Sequence, residues 1–378
     1  MLTLLIFLII LSFLVFVHEL GHYLAAKKAG VRVEEFGLGI PPRFFSKKVG
    51  ETVYSLNLLP FGGFVKLTGE DVQDSTLPPN DPKNFMSKKP ITRAVILIAG
   101  IFMNFMFSFV LYQFMLSLNG FKSQTIPLYG DYDFRFGEER RINTVVTGIE
   151  DNSPAFTAGV KFGEAIIEID DIPVYSVKEV RETLLGKEGK DVKLLLMNVR
   201  TSQRETRAVT AVPKFGSEGR AQIGVFLGSA VTLNYGAKPG RYLAGPMHSY
   251  NMMAYTVKIF SSLVSTSFKE KNIGAVGTGV SGPVGILHVV SEILKVKGKD
   301  TILSLLDLTA LLSLSLGFMN LIPFPALDGG RLAFVMVELV SGKRVHPHKE
   351  ALIHKLGMAI LLALIVVITF KDIGNLLG

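Results

Sequence analysis

The chain has 378 residues, of which 48% are hydrophobic and 19% are charged. Soluble domains carry about 25% charged residues, so this composition favours a membrane protein and excludes a disordered or collagen-like chain. The net charge is +8, but the basic residues lie beside apolar runs, where they orient a chain in the membrane, and nucleic acid is not an expected partner. The absence of cysteine excludes disulfide bonds and thiolate metal ligands.

Four apolar stretches predict four transmembrane helices. They are residues 1–17 with the following turn, 94–118, 301–324 and 356–370. A cleaved signal peptide is the alternative for the first stretch, but that stretch contains no Lys or Arg. The fourth stretch is short, so it either gains length from residues 350–355 or forms a tilted or interfacial helix.

The charges of the connections predict the orientation. Lys and Arg are concentrated between the first and second stretches and between the third and fourth, which places both connections in the cytoplasm. The N-terminus, the C-terminus and an insert of about 180 residues between the second and third stretches then lie outside.

The first apolar stretch ends in His18-Glu19-Leu20-Gly21-His22, which has the pattern H-E-x-x-H. On a helix, residues four apart project from one face, so both imidazoles can bind the same Zn²⁺ ion. Glu19 is then beside the metal, where it can accept a proton from the attacking water. Ionisable residues at the end of a membrane helix indicate a functional site, the alternative being interfacial residues where the helix leaves the membrane.

A catalytic zinc with two histidine ligands needs a third protein ligand, which without cysteine must be His, Asp or Glu. The best candidate is Asp328, in the sequence NLIPFPALDGG that follows the third apolar stretch. Two prolines break the helix there, and irregular backbone at membrane depth is tolerated only inside protein or beside a wet cavity. An ordinary helix-terminating turn is the alternative. Four further histidines are left outside the site, because neither spacing nor motif places them in it: His288, His346, His348 and His354.

The depth of Asp328 constrains the topology. For Asp328 to lie level with His18 and His22, the third span must cross the membrane in the same direction as the first. The apolar segment 242–268 therefore does not cross, and we expect an amphipathic or interfacial helix, or an ordinary helix of the outer domain.

The two motifs together resemble those of the site-2 protease family of intramembrane zinc metalloproteases, which pairs H-E-x-x-H with N-x-x-P-x-P-x-L-D-G. The resemblance covers nearly the whole chain, and the sequences LPFGGFVK at 59–66 and SGPVGI at 281–286 are also similar to family segments. The most similar subgroup is the bacterial regulator of sigma-E protease type, which has an extracytoplasmic PDZ domain and lies in the cytoplasmic (inner) membrane.

The resemblance implies hydrolysis of a peptide bond in or near the transmembrane helix of a single-span membrane protein, such as an anti-sigma factor or a remnant signal peptide. It also implies that His18, His22 and Asp328 hold the zinc ion and that Glu19 activates water. Asn320 would position the substrate or stabilise charge on its carbonyl group.

Residues from about 143 to 213 resemble a protease-associated PDZ domain, through SPAFTAGV at 153–160 and FGEAIIEI at 162–169. The family usually has Asp where Glu164 stands. Within this segment, 191–199 and 206–212 are rich in β-branched and apolar residues and are predicted strands. Such a domain binds a substrate tail by strand addition, or excludes uncut substrates by size. A steric cap without peptide affinity is the alternative.

Between the first two spans, residues 52–59 alternate with period two and predict a strand, with 31–38 as its partner. The edge of such a strand near the site could hold an unwound substrate through main-chain hydrogen bonds, and a solvated cytoplasmic hairpin is the alternative. Pro60, Gly62 and Gly63 predict a loop beside the site.

The sequence thus predicts a polytopic α-helical membrane protein with a membrane-associated β element and an extracytoplasmic PDZ-like α+β domain. Residues 1–118 and 301–378 form the two halves of the protease core. Residues 119–300 form the insert, with the PDZ domain at 143–213 and an amphipathic helical region at 240–270. A membrane-anchored PDZ scaffold without activity would not need Glu19, and a metal transporter would leave the PDZ-like segment unexplained.

Overall fold

The computed structural model describes residues 1–70, 78, 81–199, 204–213, 221–237, 239–270, 281–295 and 298–377. The chain divides into two compact units, one of residues 1–114 with 252–378 and the other of residues 115–251. The helices are α1 (Leu2–Lys28), α2 (Pro90–Leu118), α3 (Pro154–Thr157), α4 (Val177–Thr183), α5 (Ala244–Glu270), α6 (Pro283–Lys295), α7 (Lys299–Leu321), α8 (Asp328–Ser341) and α9 (Pro347–Leu377). The strands are β1 (Val33–Val49), β2 (Thr52–Leu67), β3 (Ile126–Leu128), β4 (Glu138–Ile149), β5 (Glu164–Ile169), β6 (Ile172–Pro173), β7 (Asp191–Asn198), β8 (Arg204–Thr210), β9 (Val212–Pro213), β10 (Ala221–Gln222) and β11 (Val225–Asn234).

Within the described part of the chain, four helices are long and apolar enough to cross a membrane: Leu2–Lys28, Pro90–Leu118, Lys299–Leu321 and His348–Gly374. Each corresponds to one predicted span, but the third helix ends at Leu321, so residues 322–324 of the predicted span 301–324 lie in the loop that follows. The fourth has 27 residues, so the short apolar stretch 356–370 gains length on both sides and a whole crossing is available. The helix α5 includes the segment 242–268 only in part and is not among the four.

The surface of α9 is that of a helix in lipid. Leu356, Ile360, Leu364 and Val367 follow one another at helical spacing and are all more than half exposed in the protein alone. In water such a stripe would be costly, whereas in a bilayer it contacts acyl chains.

The hairpin of β1 and β2 bends back on itself. Residues 33–38 pair with 53–56 on one side and with 63–67 on the other, as in Phe36 opposite both Tyr54 and Val65. Residues 43–49 pair with 52–57, so within the described residues the segment 63–67 is an edge of this sheet. The predicted strands at 31–38 and 52–59 are confirmed.

The predicted loop at Pro60, Gly62 and Gly63 is wrong, because all three lie within β2. The strand passes through this region with shifts in register, and Gly62 adopts a φ of +76°, a left-handed conformation that glycine tolerates without strain. A proline and two glycines at a strongly irregular point of a strand carry the same sequence signal as a loop.

A buried carboxylate braces the hairpin. Glu35 accepts hydrogen bonds from the Arg43 guanidinium and from Ser55 Oγ. Ser55 lies on the stretch that pairs with residues 33–38, and Arg43 lies on the stretch beyond it. Burial raises the pKa of Glu35, but the hydrogen bonds from Arg43 and Ser55 outweigh it and hold the pKa below its ordinary value. The ion pair therefore keeps Glu35 charged and ties the bent strands together.

The second unit is built around an antiparallel sheet in the order β3-β11-β4-β5-β7-β8, with β6 beside β5. The predicted strands at 191–199 and 206–212 correspond to β7 and β8. Its core consists of apolar side chains from facing positions of the strands, among them Val146, Ile166, Leu194 and Leu196, all buried. Ser153 and Ser176 cap the short helices α3 and α4 by accepting backbone N–H groups.

Candidate metal centre

Helix α1 presents both motif histidines on one face. His18 and His22 are buried, and their Nε2 atoms lie 3.2 Å apart. Helix α2 packs closely against this face, because a Cβ atom on Gly21 would lie 2.3 Å from the Ala99 carbonyl oxygen and one on Gly100 would lie 2.3 Å from His22 Nε2. Glycine at these two positions lets the helices approach until the imidazoles lie against α2.

Asp328 reaches the same point from a distant part of the chain. Helix α7 ends at Leu321, the proline-containing loop 322–327 follows, and Asp328 is the first residue of α8. Its Oδ2 atom lies 2.8 Å from His18 Nε2 and 3.0 Å from His22 Nε2. The ligand atoms of the three residues all lie within 4.8 Å of one another.

This donor set fits a zinc ion. Two imidazole nitrogens and one carboxylate oxygen are a common ligand set of catalytic zinc, which keeps its fourth position for water or substrate. In a tetrahedral site with bonds of about 2.0–2.1 Å, neighbouring ligand atoms lie about 3.3 Å apart. The separations of 2.8, 3.0 and 3.2 Å observed here are close to that value, so small shifts suffice to accommodate the ion.

The ring of His22 is oriented by a backbone group of α2. Its Nδ1 atom lies 2.8 Å from the carbonyl oxygen of Ile96. A carbonyl oxygen can only accept a hydrogen bond, so Nδ1 carries the proton and donates it. Nε2 then keeps a lone pair directed at the cluster of His18, His22 and Asp328. A hydrogen bond of this kind on the far nitrogen is what metal-binding histidines usually have.

The ring of His18 is oriented by Asn104, a residue that the sequence analysis did not select. The side-chain amide of Asn104 lies 3.1 Å from His18 Nδ1, and its Oδ1 atom is buried without a hydrogen-bond partner among the described residues. Exchanging the amide oxygen and nitrogen lets Oδ1 accept the Nδ1 proton and leaves Nε2 for the metal. Asn104 is one of two amide side chains in the uncharged stretch 94–118, the other being Gln113, and polar groups in a membrane helix are the signal that could have indicated it.

Glu19 lies between the cluster and the edge of the hairpin. Its Oε2 atom accepts a hydrogen bond of 3.1 Å from the backbone N–H of Val65 in β2. Glu19, His22 and Asp328 line a common cavity of about 590 Å³. Its wall also contains three charged side chains, Lys66, Glu70 and Arg331, of which the last two form an ion pair.

The structure thus brings His18, His22 and Asp328 together and places Glu19 in the same cavity. Asn320 lies in the last turn of α7, half-buried, and it is not among the residues that line this cavity. Its predicted role at the substrate stays a prediction.

The chain is similar to several known proteins. A protein of Clostridium perfringens is 31% identical over 364 residues, which cover 96% of both chains. The zinc metalloprotease RasP of Bacillus licheniformis is 28% identical over 463 residues, and the regulator of sigma-W protease RasP of Bacillus subtilis is 29% identical over 459, each covering 99% of both chains. Among solved structures, the PDZ domain of an SdrC-like protein from Listeria monocytogenes matches with 22% identity and a TM-score of 0.20, over 26% of this chain and 93% of that one.

The family model described as Peptidase family M50 matches residues 6–364, and the predicted resemblance is confirmed. The described residues include four helices apolar enough to cross a membrane, and the protein is a membrane metalloprotease that depends on zinc. The chain belongs to peptidase family M50, the site-2 protease family of zinc metalloproteases.

Proposed function

We propose that the protein hydrolyses peptide bonds in or near the transmembrane helices of other membrane proteins. The observation that carries the proposal is that His18 and His22 of the apolar span α1 meet Asp328 of α8, with Glu19 in the same cavity. Helix α8 follows the apolar span α7. Anti-sigma factors and remnant signal peptides are the substrate classes that we propose. The name of the Bacillus subtilis relative, regulator of sigma-W protease, supports the first class.

In this proposal His18, His22 and Asp328 hold the zinc ion. Bound zinc supplies a Lewis acid that polarises the scissile carbonyl and acidifies a water molecule. The contacts of Ile96 and Asn104 keep both Nε2 atoms aimed at the cluster, so the ligands need little rearrangement.

Glu19 is the proposed general base. Because its Oε2 accepts the Val65 N–H, the other oxygen, Oε1, takes the proton from the attacking water. The same oxygen then delivers the proton to the nitrogen of the leaving amine. Asn320 is proposed to bind the substrate near its carbonyl group, which requires the substrate to extend beyond the cavity as seen here.

The edge of β2 is the proposed binding site of the substrate backbone. Transmembrane substrates arrive as helices, whereas a peptide bond must be extended to be attacked. Residues 63–67 form an edge that faces Glu19 through the Val65 N–H, so an unwound segment can add to it by main-chain hydrogen bonds. This favours the substrate-binding role of the hairpin over a purely solvated one.

We further propose the membrane orientation and domain roles that the charges predict. The N-terminus, the C-terminus and the PDZ-like segment at 143–213 lie outside the cytoplasmic (inner) membrane of a bacterium, and the site opens toward the cytoplasm. Residues 1–118 and 301–378 act as the protease core. The PDZ-like segment either binds a substrate tail or limits entry by size.

The test is a cleavage assay with a tagged single-span substrate and the full-length protein in membranes. The variant Glu19→Gln is expected to retain zinc and to lose cleavage, and a zinc chelator is expected to stop the wild type. Glu51→Gln, which changes an exposed carboxylate paired with Lys83, is the matched control and keeps wild-type cleavage. Normal cleavage by Glu19→Gln would contradict the proposed base, and an uncut substrate with the untreated wild type would favour the scaffold alternative.

A further inference from the structure

A contact outside the metal cluster joins α9 to the loop that delivers Asp328. The loop 322–327 connects α7 to α8, and the backbone N–H of Ala326 within it donates a hydrogen bond of 2.9 Å to His354 Nδ1. His354 lies in the apolar helix His348–Gly374. A polar side chain is costly in a membrane-spanning helix, so the hydrogen bond with Ala326 indicates the role of His354.

The backbone that His354 holds is unusual. Ala326 has a φ of +80°, a left-handed conformation that is unfavourable for a residue with a Cβ atom and persists only where its surroundings hold it. Two residues later the chain enters α8 at Asp328. The conformation at Ala326 therefore sets the direction in which the Asp328 carboxylate leaves the loop.

A second residue on the same face of α9 contacts the same turn. A Cβ atom on the buried Gly357 would lie 2.4 Å from Pro325 Cβ and 2.5 Å from the Pro325 carbonyl oxygen. Residues three apart on a helix share a face, so His354 and Gly357 together pack against Pro325 and Ala326. The Phe334 ring of α8 also packs against the imidazole, with the ring centroids of Phe334 and His354 5.6 Å apart.

We propose that His354 is a positioning residue of the metal centre. By accepting the Ala326 N–H, it holds the turn at Pro325 and Ala326 in the conformation that aims Asp328 at His18 and His22. This inference rests on the proposed role of Asp328 as a ligand. The positioning role requires a hydrogen-bond acceptor at the place of His354 Nδ1. The amide oxygen of asparagine supplies such an acceptor, and the side chain of leucine does not.

The test is the zinc affinity of the full-length protein in detergent, measured by competition with a chelator for the wild type and four variants. His354→Leu is expected to weaken zinc binding about tenfold or more, the size of effect that follows loss of an outer contact of a ligand. His354→Asn is expected to restore affinity to within a few-fold of wild type. His348→Leu, an exposed histidine of the same helix, is the matched control and is expected to bind zinc as the wild type does.

The fourth variant, Asp328→Asn, separates this inference from the proposed function. If Asp328→Asn loses zinc and His354→Leu keeps it, the positioning role is wrong and the ligand set stands. If Asp328→Asn also keeps zinc, the ligand assignment itself is wrong. Equal losses in the leucine and asparagine variants would show a packing role instead.

Should the leucine variant not fold, His354→Gln replaces it. The amide oxygen of glutamine lies one bond beyond the position of Nδ1, so this variant is also expected to weaken zinc binding.

Discussion

Each imidazole of the cluster is held by a partner that is distant in the sequence. Ile96 and Asn104 lie on α2, and they contact His22 and His18 through the nitrogen that faces away from the cluster. The backbone carbonyl cannot be altered by substitution, but the amide can. Asn104 therefore offers a direct way to measure what the orientation of His18, a proposed ligand, contributes to metal binding.

Replacing Asn104 by leucine is expected to lower zinc affinity by about 10- to 100-fold, because His18 loses the group that fixes its ring and tautomer. Competition with a chelator measures the change. The matched control is Ser108→Ala, one turn further along α2, which removes a buried hydroxyl without a hydrogen-bond partner among the described residues. Wild-type affinity in Asn104→Leu would show that the His18 ring needs no such support.

Sequence reasoning found the residues that belong to compact motifs and missed those that depend on packing. His18, Glu19 and His22 were identified because the helical period places them together, and Asp328 because a broken helix follows an apolar stretch. Asn104 contacts a residue 86 positions away, and Val65 contributes only its backbone N–H to Glu19. Such contacts depend on how closely α1, α2 and β2 approach, which no local pattern encodes.

At the level of elements, α8 is anchored at both ends. Its first residue is Asp328, and near its other end Glu338 Oε1 accepts a hydrogen bond of 2.6 Å from Arg93 of α2. The Arg93 side chain is 4% exposed, and its Nε atom also donates to the carbonyl oxygen of Lys88. The buried guanidinium therefore links the start of α2 to the helix that carries Asp328.

Replacing Glu338 by leucine is expected to destabilise the protein by about 3 kcal/mol, because Arg93 would remain buried without its carboxylate. The melting temperature and denaturant midpoint in detergent measure this loss. Lys83→Met, which removes an exposed ion pair with Glu51, is the control and should leave the melting temperature unchanged. If Glu338→Leu melted at the same temperature as Lys83→Met, Arg93 would have found another partner.

The elements were predicted more completely than their ends. The four spans follow from length and apolarity, which the bilayer itself demands. The bounds of α9 could not be predicted from apolarity, because the helix continues through polar residues at both ends. Two of these, His354 and Asp372, accept hydrogen bonds from the backbone N–H groups of Ala326 and Gly282. The course of β2 through Pro60 and Gly63 depends on pairing with residues 37–40, a contact that the local sequence signals against.

At the level of the whole molecule, the distribution of charge gives a testable orientation. The chain contains no cysteine, so single cysteines can be introduced without a background. Lys178 in α4 and Lys343 in the connection between α8 and α9 are both exposed. The proposed topology places the first outside the cell membrane and the second in the cytoplasm.

A membrane-impermeant maleimide is expected to label Lys178→Cys in intact cells and to label Lys343→Cys only after the membrane is opened. Both positions are charged surface residues, so each variant is the control for the other. Labelling of both in intact cells, or of Lys343→Cys alone, would contradict the orientation and with it the cytoplasmic opening of the site.

The zinc K-edge X-ray absorption spectrum of the purified protein tests the ligand set most directly. It is expected to show two imidazole groups with nitrogen at about 2.0–2.1 Å, oxygen in the remaining positions and no sulfur. The same spectrum for His22→Ala should contain one imidazole fewer. Fewer than two imidazoles in the wild type, or an unchanged spectrum in the variant, would show that the ion does not lie among His18, His22 and Asp328.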